Sequence, residues 1–472
     1  MARHTRLVAH VGLVAAIALL ASGCGGRSTA AELHHLALSV SDLPSGWSAA
    51  PIKGPKVTTS TPCLSSVKSK GLTYDVEAFT QGGAIPTFVE VLAVGAELDR
   101  TWKGLTAALA TCRSATIDLA GTKAESTVRR IAFPPLGDSS SASAWAFTFH
   151  GVRIGFDLVL FRVGKYGGYV TYSDLGVPRP ATVKAFAQAA AAKVAHGGSV
   201  APIPAVSVVS APVQTAETTL GAVAYRTIGS GPPLVLITGF SGTMEGWDRR
   251  LVDALAEHHR VVLLDNAGIG ETAALPKLTV DAMADQTSAL LAALGIRRAD
   301  VLGWSMGSMI AQALAVLHPA QVRRLVLCAS FPGDGTTVRP AQSAIDALKS
   351  GDPAKVMSDL FPADQTNAQN TYLAALSSWP PTPTVPADVL SAQSHAVDVW
   401  WAGTDPAGKK TTAIAAATLV ADGGQDPLDP VANSRALAKL IPHAQLVLYP
   451  NAAHAFLFQE ATFTARVKAF LG

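Results

Sequence analysis

Ser305 stands in Gly303-Trp-Ser-Met-Gly307, a G-x-S-x-G pattern. A serine hydroxyl is a weak nucleophile until a base takes its proton, and a carboxylate that orients the base makes it effective. The chain after Ser305 offers four histidines. His318 ends a helical pattern, His395 lies in a long segment without strand character, and His443 occupies the turn Ile441-Pro-His-Ala444. His454 alone falls in a loop, Pro450-Asn-Ala-Ala-His-Ala-Phe456, between a strand pattern and a closing helix. Three carboxylates, Asp422, Asp426 and Asp429, follow the strand-like run Ala417–Ala421 and qualify by proximity. Cys328, inside Leu325-Val-Leu-Cys-Ala329, reads as a buried core residue rather than a reactive thiol.

The elements that must position these residues are visible as apolar runs. Pro233–Gly239, Val261–Asp265, Val301–Ser305, Leu325–Ala329, Ala417–Ala421 and Ala444–Tyr449 read as buried strands. Residues 246–258 suit a helix, and Met306–His318 reads as another that stops before Pro319. Strands alternating with helices predict a parallel sheet covered on both faces. Ser305 ends a strand and opens a helix, which thrusts its hydroxyl above the sheet. A side chain at Gly303 or Gly307 would strike a neighbouring element where the chain reverses, and the helix N-terminus favours negative charge at the same spot. From residue 331 to 412 the strand pattern lapses. Helical pieces appear at Ala341–Lys349, around Met357 and at Asp388–Thr404, and Trp379-Pro-Pro-Thr-Pro383 breaks the last two apart. Trp379, Trp400, Trp401 and Phe361 either line an apolar pocket or hold the core of this insert.

In order and spacing, residues 212–472 resemble an α/β-hydrolase with a helical lid at about 331–412. The resemblance implies that Ser305 is the nucleophile and His454 the general base. It selects Asp426 as the acid, because Gly423-Gly-Gln-Asp426 resembles the family's Gly-x-x-Asp. The backbone N–H groups of Met306 and Phe240 become the oxyanion-hole donors. In the turn before the second donor, Thr238-Gly239-Phe240 stands where the family usually reads His-Gly-x, which touches the polar network around that turn. The implied activity is that of a serine hydrolase cleaving a carboxylic ester or related acyl bond through an acyl-enzyme, on a small apolar acyl substrate. No cofactor and no metal are implied. Asn266-Ala-Gly-Ile-Gly270 lacks the full dinucleotide fingerprint, and no Cys/His cluster has metal-ligand spacing. The competing expectation is a catalytically inactive hydrolase-fold lipoprotein acting in ligand binding or signalling.

The first half carries no comparable constellation. With 472 residues, 49% hydrophobic and 15% charged, the chain suits two domains with large cores and is not a disordered polymer. A net charge of +3 leaves no electrostatic footprint for nucleic acid. Residues 1–23 combine Arg3, His4 and Arg6 with an apolar run from Val11 to Ala21, the make-up of a secretory leader. That run spans about 16 Å as a helix, half of a membrane core. Cys24 after Ala21-Ser-Gly23 resembles the lipobox of bacterial lipoproteins, with Ala21 where Leu, Val or Ile is usual. It implies lipidation at Cys24 and an exported protein anchored on the extracytoplasmic face of the cell membrane. In that oxidising setting Cys63 and Cys112 are natural disulfide partners. A tether at 24–31, an α+β domain at 32–196 and a Gly/Pro/Ser linker at 197–211 are expected. Asp42-Leu-Pro-Ser-Gly-Trp47, Thr61-Pro-Cys63, Cys112 and Phe161-Arg-Val-Gly164 resemble extracellular sensor modules of actinobacterial lipoproteins and receptor kinases. The resemblance implies a ligand or protein partner for this domain; the plainer role is a spacer.

Overall fold

The computed structural model describes residues 27–50, 57–60, 67, 71–82, 85–119, 122–149 and 151–472. The expected leader, Cys24 and Cys63 lie outside the described residues, and with them the expected Cys63–Cys112 pairing. The chain divides into two compact units, Met1–Ser210 with Leu373–Pro380, and Ala211–Tyr372 with Pro381–Gly472.

The first unit runs α1 (Arg27–Leu36), β1 (Trp47–Ala49), β2 (Val57–Ser60), β3 (Thr73–Gln81), β4 (Thr87–Val94), α2 (Leu98–Thr111), β5 (Ser114–Leu119), β6 (Thr122–Arg130), β7 (Ser139–Phe149), β8 (Val152–Val163), β9 (Tyr166–Leu175) and α3 (Pro180–Ala195). Helix α1 begins inside the segment expected to be a tether. Among the described residues the strands form one sheet in the order β1-β3-β4-β9-β8-β7-β6-β5-β2, every neighbour antiparallel. Period-2 alternation gives it two faces. One packs Phe88 and Tyr172 against Phe186 of the alanine-rich α3, which starts on Pro180, a residue suited to a first helical turn. The other holds a separate cluster around Trp145 and Phe156, stacked at 5.2 Å.

The second unit opens with an antiparallel pair the sequence did not resolve, β10 (Gln214–Thr218) and β11 (Gly221–Ile228). It continues through β12 (Pro233–Ile237), α4 (Arg249–Leu255), β13 (Arg260–Leu264), α5 (Val280–Ala293), β14 (Ala299–Trp304), α6 (Met306–Leu317) and β15 (Val322–Cys328). Four helices follow in the chain: α7 (Gln342–Lys349), α8 (Pro353–Leu360), α9 (Thr366–Leu376), whose residues from Leu373 on belong to the first unit, and α10 (Ala387–Trp401). The chain ends with β16 (Ala417–Gly423), α11 (Ala432–Leu440), β17 (Gln445–Tyr449), α12 (Phe456–Gln459) and α13 (Ala461–Leu471). Strand order is β10-β11-β13-β12-β14-β15-β16-β17, parallel from β13 to β17. Leu234–Ile237 and Val261–Leu263 are fully buried, as strands covered on both faces must be. Helix α4 is shorter than the expected 246–258, because Asp248 caps it by accepting the Arg250 N–H at 2.8 Å.

The register sets up the site. Ile237 of β12 lies beside Gly303 of β14, Trp304 beside Cys328 of β15, and Gly423 of β16 beside Tyr449 of β17. The loops that carry Phe240, Ser305, Asp426 and His454 therefore all leave the carboxyl edge of one parallel sheet, where open α/β sheets hold their ligands.

Candidate active site

Ser305 adopts φ +58°, ψ −125°, a conformation that a non-glycine residue holds only when its surroundings impose it, at a cost of about 1–3 kcal/mol. The surroundings are its two glycines and the neighbouring strands. A Cβ on Gly303 would lie 2.3 Å from the Gly307 carbonyl oxygen, and one on Gly307 would lie 2.1 Å from that of Ile237. The Ser305 N–H donates to the Cys328 carbonyl at 2.9 Å, and the Ser308 hydroxyl bridges the carbonyls of Gly303 (2.6 Å) and Cys328 (2.9 Å). The turn is thus bolted to β15 while the Ser305 side chain stays free of capping duty. Cys328, a free thiol, is fully buried beneath it, and burial pushes its ionisation up.

His454 is 3% exposed, and its Nδ1 lies 2.7 Å from Asp426 Oδ2. The other carboxylate oxygen, Oδ1, accepts the N–H groups of Leu428 and Asp429, both at 2.8 Å. The imidazole is fixed from behind as well. The Trp304 indole donates to the His454 carbonyl at 3.0 Å, with ring centroids 5.8 Å apart, so the residue preceding Ser305 rests against His454. Phe458 meets Trp304 edge-on at 5.2 Å and stacks on Tyr372 at 4.8 Å, backing the pair with an aromatic wall.

Of the three candidate carboxylates the structure pairs Asp426 with His454. Asp422 ends β16 with Oδ1 accepting the Gly423 N–H. Asp429 accepts Asn433 Nδ2 at 3.0 Å beside the start of α11. Burial, then the neighbouring carboxylates, pushes both of these carboxyls well above their ordinary range. Among the other histidines, His318 pairs with Asp285 at 2.7 Å, while His395 and His443 are exposed.

The turn after β12 faces the serine: a Cβ on Gly239 would lie 3.0 Å from Ser305 Cβ and 3.6 Å from Oγ. Phe240, Ser305 and Met306 line a common cavity with Met309, Phe331, Ile345, Leu348, Val397, Trp401 and Leu428, and Lys349, Ser394 and Asp398 supply the other polar lining side chains. Trp401 is the one aromatic of the four singled out in sequence that reaches this cavity. Trp400 is fully buried and donates to the Phe331 carbonyl at 3.1 Å, Phe361 packs on Tyr372, and Trp379 falls within the first unit. They failed as lining because their bulk is consumed in packing.

Sequence reasoning missed three residues beside this site. Asn266 Nδ2 donates to the Thr238 carbonyl at 3.1 Å, Gln393 Oε1 accepts the Ser241 N–H at 2.9 Å, and buried Asp359 lies within electrostatic reach of His454 and Asp426. Burial raises the Asp359 carboxyl to about 6. Nothing in local pattern marks Asn266 or Gln393. The first sits in a glycine-rich turn and the second on an amphipathic helix, where both types are ordinary.

Residues 232–461 match the model of the alpha/beta hydrolase fold. The pimeloyl-[acyl-carrier protein] methyl ester esterase of Chromobacterium violaceum is 33% identical over 253 residues, 50% of this chain and 93% of that protein. The 2-hydroxymuconate semialdehyde hydrolase of a Pseudomonas strain is 31% identical over 253 residues, 52% of this chain and 88% of the relative. Among solved structures, an alpha/beta hydrolase fold protein from Chitinophaga pinensis aligns with a TM-score of 0.52 at 27% identity, covering 55% of this chain and 97% of its own. Through its C-terminal half, this chain belongs to the alpha/beta hydrolase fold family.

Proposed function

We propose that the protein is an exported, lipid-anchored serine hydrolase that cleaves carboxylic esters or related acyl bonds. The reading rests on one observation above all: the Asp426–His454 bond at 2.7 Å, with Trp304, the residue before the strained Ser305, holding the His454 carbonyl. With Nδ1–H donated to Asp426, the basic lone pair of His454 is on Nε2, the nitrogen available to the serine. Oγ of Ser305 bonds to the acyl carbon as its proton passes to Nε2, and the carbonyl electron pair moves onto oxygen. That oxyanion is met by the backbone N–H groups of Phe240 and Met306 at the positive end of α6. When the intermediate collapses, His454 returns the proton to the departing alcohol. Water repeats the cycle on the acyl-enzyme and frees the acid.

The apolar lining favours an apolar acyl group, and helices α7 and α10, which supply lining residues, act as its lid. The ester reading is supported by the Chromobacterium violaceum relative, which is a methyl ester esterase. Cys24 carries the lipid anchor, Cys63 pairs with Cys112, and residues 32–196 serve as a sensor-like module for a ligand or protein partner.

A fluorophosphonate probe tests the chemistry. Wild type is expected to label and Ser305→Ala to stay blank, with nitrophenyl esters of graded chain length then ranking the acyl preference. A wild type that never labels identifies the hydrolase fold as an inactive binding scaffold instead. Release of Cys24→Ala from membranes tests the anchor, and wild type found only in the soluble fraction overturns it.

A further inference from the structure

We infer that Gln393, on the helical insert, is the positioning residue that sets the oxyanion turn, so that this insert assembles the catalytic site as well as covering it. The inference rests on the serine-hydrolase reading above and deepens it.

The turn needs an external anchor. Residues 239–242 form a tight turn closed by the Gly242 N–H on the Gly239 carbonyl at 3.2 Å, with φ +55° at Ser241. A positive φ at the third position is what type II turns require, and they differ from type I by a flip of the central peptide. In this turn the central peptide is the Phe240–Ser241 unit, next in the chain to the N–H of Phe240. Serine does not favour positive φ, so the turn's own sequence does not secure the flip. Gln393 does: its Oε1 accepts the Ser241 N–H at 2.9 Å and thereby fixes which way that peptide faces. On the other side, Asn266 Nδ2 holds the Thr238 carbonyl at 3.1 Å. The Phe240 N–H lies between two peptides that are each held by a side chain. Thr238, which replaces the usual histidine, is relieved of that duty.

Among the described residues Gln393 has no other hydrogen-bond partner. It is fully buried, and because Ser241 demands an acceptor, the amide must present oxygen there and leave Nε2 facing no protein partner. A residue serving only to fill space at a fully buried position would be apolar, because an unmatched amide donor opposes burial.

The test compares three variants of the full chain by esterase kinetics and by the rate of fluorophosphonate labelling. Gln393→Met keeps the bulk and loses the acceptor; kcat and the labelling rate are expected to fall at least 10-fold while KM stays within about 2-fold. Gln393→Glu keeps an acceptor oxygen at the same reach and is expected to recover to within about 3-fold of wild type. Gln393→Asn withdraws the acceptor by one methylene and should behave like Gln393→Met, which decides the matter if the methionine variant does not fold. Wild-type rates in Gln393→Met or Gln393→Asn overturn the inference, as does an equal loss in Gln393→Glu. A wild type that never labels instead overturns the serine-hydrolase reading, so the two failures are distinguishable.

Discussion

Among the described residues, two histidines meet a carboxylate through Nδ1 at nearly the same distance. In the second unit His454 Nδ1 lies 2.7 Å from Asp426; in the first, His34 Nδ1 lies 2.8 Å from Glu77 and 3.6 Å from Asp75. Everything around the bond differs. His454 is 3% exposed and backed by Trp304, whose neighbour in the chain, Ser305, is held in a strained conformation. The His34 side chain is 69% exposed on α1, with the carboxylates of β3 beside it. A water-exposed imidazole can exchange its partner for solvent at little cost, whereas a buried one keeps its tautomer and aim. The lesson is that a histidine–carboxylate distance does not mark a catalytic site; burial, an immobilised ring and a preset nucleophile do.

Removing the reacting groups tests the chemistry assigned to His454 directly. Ser305→Ala or His454→Ala should lower kcat by about 10^4–10^6-fold in an ester assay, the scale of losing a member of a serine triad. Asp426→Asn should cost about 10^3–10^4-fold, since the amide cannot hold the same imidazole tautomer. If Asp426→Asn turned over like wild type, the buried pair would be no more than a structural contact.

The first unit's polar cluster should instead report in stability. Glu90, the cross-strand neighbour of Glu77, is fully buried, and burial raises its carboxyl to about 8 despite the Leu38 N–H on Oε2 and the charge of Lys193. The folded state therefore binds that proton more tightly than the unfolded chain. Its stabilising share is complete below about pH 4.5, the ordinary glutamate range, and is lost as pH rises through about 8. The loss runs at up to about 1.4 kcal/mol per pH unit across that window. Glu90→Gln keeps an acceptor for Leu38 and removes the titration. Urea melts at pH 5 and pH 9, with hydrogen exchange assigning the transition to residues 27–210, should show the variant gaining a few kcal/mol over wild type at pH 9 only. An equal difference at both pH values would refute the account.

The contrast between the units also explains what could be read in sequence. The parallel strands of the second unit are buried on both faces, so Leu234–Ile237, Val261–Leu264 and Val301–Trp304 stand out as unbroken apolar runs, and Gly303 and Gly307 mark where β14 must reverse. In the first unit the clearer signals are Trp145-Ala-Phe-Thr-Phe149 and Phe156-Asp-Leu-Val-Leu-Phe161, aromatic-rich runs that fall on β7 and β8, and the alanine-rich stretch that forms α3. Strand β6, Thr-Lys-Ala-Glu-Ser-Thr-Val-Arg-Arg, buries Ala124, Ser126 and Val128 in alternation, a fainter signal in which the exposed positions are threonine or charged. Helix α9 escaped because its sequence, Thr-Asn-Ala-Gln-Asn-Thr-Tyr-Leu-Ala-Ala-Leu, has no acidic first turn and no basic last one. The site divides along the same line. Local pattern pointed to Ser305 and the order of the elements to His454, whereas order left three carboxylates open and only the family resemblance singled out Asp426. Asn266 and Gln393 were not, because each acts on a backbone group far away in sequence, 28 and 152 positions respectively, and no local spacing encodes that.

Trp304→Phe probes the support behind His454. Phenylalanine keeps an aromatic ring beside His454 but loses the indole N–H that holds its carbonyl at 3.0 Å, so the imidazole gains freedom without losing Asp426. Misplacing a general base by a fraction of an ångström is expected to cost about 10-fold in kcat with KM little changed. The smallest effect belongs to the other histidine. His34→Ala removes an exposed ion pair worth at most about 1 kcal/mol, and ester turnover should stay within about 2-fold of wild type. If His34→Ala lowered turnover as much as Trp304→Phe did, exposure would be no guide to which of the two histidine–carboxylate contacts carries chemistry, and the first unit would have to be counted among the parts that set the rate.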